Sequence, residues 1–178
     1  MTPFRKGLLL AVLHLLIVSS LGAKLLMDRA VRPRVWVRTA PYDPDLPIRG
    51  RYVSLAIEVE APKPPPPKAK EGEPEWLTRI VSNASKSARL EVRDGKLHAV
   101  PDEAGSVRYV VRWRDQAWTP AVLADPIPFF IPEHIPDPSV RPQGEELWVE
   151  VTVPKKGPPR PIRLGVKKGY QLTPLEID

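Results

Sequence analysis

Residues 89–100 read RLEVRDGKLHAV, and they decide the fold. Leu90 and Val92 alternate with Arg89, Glu91 and Arg93 ahead of Asp94-Gly95, and Leu97 and Ala99 alternate with Lys96 and His98 beyond it. Alternation at period two makes a strand with one apolar face and one wet face. Asp-Gly between two such runs suits a two-residue type I′ turn, whose central positions both take positive φ. The stretch is predicted to be a β-hairpin.

The same alternation recurs along the chain. Val53, Leu55, Ile57 and Val59 interleave with Ser54, Ala56, Glu58 and Glu60. Val107, Tyr109, Val111 and Trp113 interleave with Arg108, Val110, Arg112 and Arg114, and Leu147, Val149, Val151 and Val153 with Trp148, Glu150 and Thr152. A second hairpin is predicted to pair 146–153 with 160–167 across PKKGPPR, sending Ile162, Leu164 and Val166 into the core. The 24 prolines among 178 residues cluster between these runs, where a missing N–H removes no ladder bond. Pro64 to Pro67, flanked by Lys63, Lys68 and Lys70, make a polyproline II stretch in a proline-rich loop over 61–75. A short helix is expected over 75–85, because Trp76, Leu77, Ile80, Val81 and Ala84 share a helical face. The predicted fold is mostly β: a small antiparallel β sandwich or barrel-like domain over 34–178, with one short helix.

Ahead of this domain, residues 7–27 read GLLLAVLHLLIVSSLGAKLLM. As a helix this run is about 31 Å long, the hydrocarbon thickness of a bilayer. The expected order is a basic flank over 1–6, a single transmembrane anchor over 7–27 in contact with membrane lipid, and a basic juxtamembrane stalk over 28–33. Arg5 and Lys6 before the run, and Ser20-Leu21-Gly22 within it, also fit a cleaved signal peptide. The continuation Leu25-Leu26-Met27 favours an uncleaved anchor. His14 sits mid-span, where an imidazole is expected to pair with a backbone carbonyl or a neighbouring helix. Arg29, Arg32, Arg34 and Arg38 follow the span and are suited to anionic lipid. By charge count alone they favour a cytoplasmic C-terminal side.

The formal charge of +6 is entirely N-terminal. Residues 1–38 hold seven basic side chains against Asp28, and the remaining chain is balanced. A neutral domain lacks the one-sided basic field that draws nucleic acid, so nucleic acid is not an expected partner. There is no cysteine, which excludes disulfides and thiolate chemistry.

Residues 43–59, DPDLPIRGRYVSLAIEV, resemble the bacterial GDYXXLXY family of membrane-anchored proteins. Gly50, Tyr52 and Leu55 match its naming motif in register, while Arg51 replaces the aspartate and Ile57 the final tyrosine. Pro128-Phe129-Phe130-Ile131-Pro132-Glu133 is similar to the family's second signature, an aromatic pair followed by Pro-Glu. The resemblance implies one N-terminal membrane segment, a small mostly-β domain on the extracytoplasmic side of the inner membrane, and a multi-pass membrane protein as partner. It implies no chemistry.

No catalytic set, metal site or cofactor is expected from the residues. His98 and His134 are the only histidines beyond the span, without HExxH or HxH spacing. A signal-peptidase-like reading needs a serine soon after the span, and none lies between Ser20 and Ser54. The expected role is therefore a non-enzymatic accessory or protein-interaction domain. It would present a sheet face, or a rim of Asp43, Asp45, Arg49, Arg51, Glu133 and His134, to a membrane partner. The alternatives are a membrane-tethered hydrolase using Glu133, His134 and Asp137 or the acids at 43 and 45, and a cleaved secreted β domain.

Overall fold

The computed structural model describes residues 3–40, 52–64, 85–114, 117–132 and 134–176. The chain divides into two compact units, Met1–Arg32 and Pro33–Asp178.

The first unit is one α-helix, α1 (Pro3–Val31), with no buried residue. Its 29 residues span about 43 Å. An apolar helix exposed on every side is a candidate single-pass membrane span, by length and composition. The His14 ring Nδ1 lies 2.9 Å from the Leu10 carbonyl oxygen, one turn back in the same helix. The helix runs beyond the apolar segment because Asp28 and Arg32 form an i,i+4 pair at 3.0 Å. Residues 28–31, read from the sequence as stalk, are thus helical, and only Arg32 and Pro33 precede the first strand.

The second unit is built of strands β1 (Arg34–Ala40), β2 (Tyr52–Val59), β3 (Lys86–Arg93), β4 (Lys96–Pro101), β5 (Val107–Val110), β6 (Trp113–Arg114), β7 (Ala117–Trp118), β8 (Ala121–Leu123), β9 (Ile127–Phe130), β10 (Glu145–Thr152), β11 (Arg160–Lys168) and β12 (Gln171–Pro174). One antiparallel sheet runs in the order β12-β11-β10-β1-β2-β8-β5-β3-β4, and β9 also pairs with β2. β8 and β9 meet opposite ends of β2, so 121–130 acts as one strand interrupted at Ala124-Asp125-Pro126. The far strand β4 returns to the end of β2. There Glu60 donates its N–H to the Leu97 carbonyl and accepts from the Ala99 N–H, both at 2.8 Å. The sheet therefore curls into a half-barrel around Leu55, Ile57, Leu97, Tyr109, Val149, Val151 and Leu164, all nearly or fully buried.

The Asp94-Gly95 hairpin forms as read, with φ of 50° and 70° and Arg93 opposite Lys96. The β10–β11 hairpin also forms, but its register shifts between Glu150 and Val151. Ile162 is the extra residue of that bulge, so it is half-buried while Leu164 is fully buried. The strand expected over 107–114 stops at Val110. Thr119 takes over both backbone groups of Arg112, accepting its N–H through Oγ1 at 3.2 Å and donating to its carbonyl at 2.9 Å. Trp113 and Arg114 then pair with Trp118 and Ala117 in a separate two-stranded ladder, β6 with β7. All but Ser85 of the helix expected over 75–85, and most of the 61–75 loop, lie outside the described residues.

Candidate functional site

Among the described residues the β1–β2 ladder pairs Thr39 with Ile57 and Ala40 with Ala56. Beyond Ile57 the two strands part: Glu58 and Val59 keep β8 on the far edge of β2, and Glu60 is held by β4 instead of β1. Residues 34–38 of β1 pair with β10 on one side and with no second strand among the described residues. The Val153 N–H bonds to the Pro33 carbonyl at 3.1 Å, which sets the alternation of this ladder. Odd-numbered backbone groups of β1 then turn to β10, and those of Trp36 turn away from it.

A cleft of about 620 Å³ occupies the gap. One wall is Trp36 and Arg38 on β1 with Trp148 on β10, and the opposite wall is Glu58, Glu60 and Ala61. The Asp94–Leu97 turn and Trp118–Pro120 complete the rim, and Val37, Val59 and Val111 form the apolar floor.

The tryptophans are held in place rather than loosely displayed. The Arg163 guanidinium lies 5.4 Å from the centre of the Trp36 ring, and its Nε donates to Glu150 at 2.7 Å. The Lys167 ammonium sits 4.4 Å from the Trp148 ring centre, and the Trp148 indole N–H donates to Glu146 at 3.1 Å. Arg38 reaches Glu146 at 3.1 Å and Glu58 at 3.8 Å. Burial pushes the Glu58 carboxyl above its ordinary range, with Glu146 and Glu60 adding to the rise and Arg38 opposing it. Lys96 pairs with Glu60 at 3.3 Å on the rim. The cleft thus offers flat aromatic surface, paired charges and strand-edge backbone groups, which suit recognition of an extended chain. Among the described residues no three His, Cys, Asp or Glu side chains gather as a metal set.

Of the residues singled out in the sequence, Asp43, Asp45, Arg49, Gly50, Arg51 and Glu133 lie outside the described residues. The described remainder of the two signature segments comes together as ladder partners. Tyr52 is opposite Phe130 with ring centres 6.3 Å apart, and Val53 is opposite Phe129. Leu55 is buried in the core, and Phe130 is three-quarters exposed. Pro132 accepts the Ile135 N–H at its carbonyl, at 3.2 Å. Asp137 is engaged by the Ser139 backbone N–H and hydroxyl at 2.8 and 2.7 Å, as a turn-forming aspartate is.

The residues of the cleft were missed in the sequence. A usable signal existed, since Trp36 and Trp148 both occupy the polar-face positions of alternating runs, where a large aromatic is out of pattern. No family model, curated protein or solved structure matches the chain.

Proposed function

We propose that the protein is a membrane-anchored, non-enzymatic accessory module that holds an extended segment of a membrane-protein partner in the β1–β2 cleft. The observation that carries this reading is the parting of the strands before Thr39 on β1 and after Ile57 on β2, which leaves the Trp36 backbone edge beside aromatic walls. An added strand would take its backbone bonds from that edge and seat alternate side chains against Trp36 and Trp148. The apolar helix supports a partner within the same membrane, because a tethered domain meets membrane proteins at high effective concentration. The resemblance to the GDYXXLXY family supports an extracytoplasmic domain in the inner membrane and a multi-pass partner.

Two experiments test the reading. Full-length protein is purified from membranes in mild detergent, as wild type and as Trp36→Ala/Trp148→Ala. The expected result is one membrane protein in stoichiometric amount with wild type and its loss from the variant, with thermal unfolding showing the variant still folded. Equal recovery with both proteins contradicts the cleft. A C-terminal alkaline phosphatase fusion, active only outside the cytoplasm, tests the orientation.

A further inference from the structure

We infer that the β10–β11 connection, with the start of β1, is a contact surface for anionic lipid headgroups. This goes beyond the cleft and stands independently of it. Arg34 opens β1 and is opposite Thr152, which is in turn opposite Arg160 at the start of β11. The bond from the Val153 N–H to the Pro33 carbonyl extends this register by one residue ahead of β1. The connection between the two strands, 153–159, contains Lys155 and Lys156. Strand pairing therefore gathers Arg34, Lys155, Lys156 and Arg160 at one end of the sheet, and all four are exposed. Residues distant in sequence become one basic rim only through this topology.

The connection is also held in shape. The Gly157 N–H donates to the Ser106 hydroxyl at 2.6 Å, and Pro159 is fully buried. The turn that leads to Ser106 carries Asp102 and Glu103, which border a shallow surface hollow together with Lys86.

The membrane is within reach because of the chain itself. Only Arg32 and Pro33 separate Val31, the last helical residue, from Arg34. Three peptide units reach at most about 10 Å. The four helical residues beyond Met27 add about 6 Å, so the chain tethers the start of β1 within about 16 Å of the end of the apolar run. The charge at this end of the sheet is complementary to anionic headgroups, which attract basic residues within a Debye length. The opposite end of β11, with Tyr170 fully exposed in the turn to β12, lies roughly 27 Å away along the strand.

The test uses the full chain in nanodiscs. Because the sequence has no cysteine, Pro158→Cys and Tyr170→Cys each create one labelling position for a fluorophore. The discs contain phosphatidylcholine alone or mixed with phosphatidylglycerol, and each carries a nitroxide on a headgroup. Quenching at position 158 is expected to be about twofold stronger or more in the anionic discs, and to fall to the zwitterionic level at high salt. It should fall likewise in Lys155→Gln/Lys156→Gln, while the label at position 170 ignores lipid charge throughout. Equal quenching at 158 in the two lipids, an unchanged response in the double glutamine variant, or a lipid-charge response at 170 overturns the inference.

Discussion

Arg163 and Trp36 sit in one row across three strands, with the guanidinium 5.4 Å from the indole centre and Glu150 between them in the ladder. Beneath the indole lies Gly165. A Cβ there would come within 2.9 Å of the Trp36 ring edge and 3.1 Å of the Thr173 carbonyl oxygen. Gly165→Ala should displace the indole from Arg163 and cost about 1–3 kcal/mol. Urea unfolding reads the cost, and tryptophan fluorescence reads the movement of the ring. An unshifted spectrum would mean that Gly165 does not position Trp36.

Gly105 should be far less tolerant. A Cβ there would lie 2.3 Å from both the carbonyl carbon and oxygen of Ala88, which is backbone and fully buried. Because no side chain can rotate away, Gly105→Ala is expected to cost more than Gly165→Ala, about 3 kcal/mol or above. Gly95 provides the control, with φ of +70° and open space where its Cβ would point. Gly95→Ala should cost only about 1 kcal/mol, from backbone strain alone. Thermal unfolding of the three variants in one detergent checks the order.

Glu58 makes a pH prediction. Its carboxyl titrates above the ordinary 4.5, chiefly because it is buried. The folded domain therefore holds this proton more tightly than the unfolded chain does. Above the folded-state pKa, the charged Glu58 costs stability, and that cost is relieved as pH falls through the folded-state pKa toward 4.5. Glu58→Gln should raise the melting temperature at neutral pH by a few degrees and flatten its slope in that window. Arg38→Gln removes the opposing cation and should have the reverse effect. A wild-type slope retained in Glu58→Gln would contradict this assignment.

The core can be probed at Ile57 and Val149, both fully buried. Ile57→Ala should cost about 2–5 kcal/mol, and Val149→Ala somewhat less, because each leaves a cavity that the sheet cannot collapse into. Substitution of Phe130, three-quarters exposed, should stay within about 0.5 kcal/mol. Chemical denaturation distinguishes the three.

Local patterning made much of the fold legible. The Asp94-Gly95 turn, the β10–β11 hairpin and the apolar helix each follow from a few neighbouring residues. The break after Val110 was not legible, because it depends on Thr119 capturing the backbone of Arg112 from seven positions away. The cleft was hidden for a similar reason. It arises because β4 takes Glu60 at the end of β2 where β1 has parted from it, which no residue of β1 or β2 announces. Trp36 and Trp148 on polar-face positions were its only trace, and sequence alone could not bring them to one wall.

The most direct measurement of the central proposal places a photo-crosslinking amino acid at Lys96, on the cleft rim, and separately at Arg89, off it, in full-length protein in its native membrane. Mass spectrometry then maps each adduct to its residues. The account predicts an adduct at position 96 with one extended segment of a membrane protein, lost in Trp36→Ala/Trp148→Ala and absent from position 89. Adducts only with this chain's own residues, or equal adducts from both positions, would contradict it.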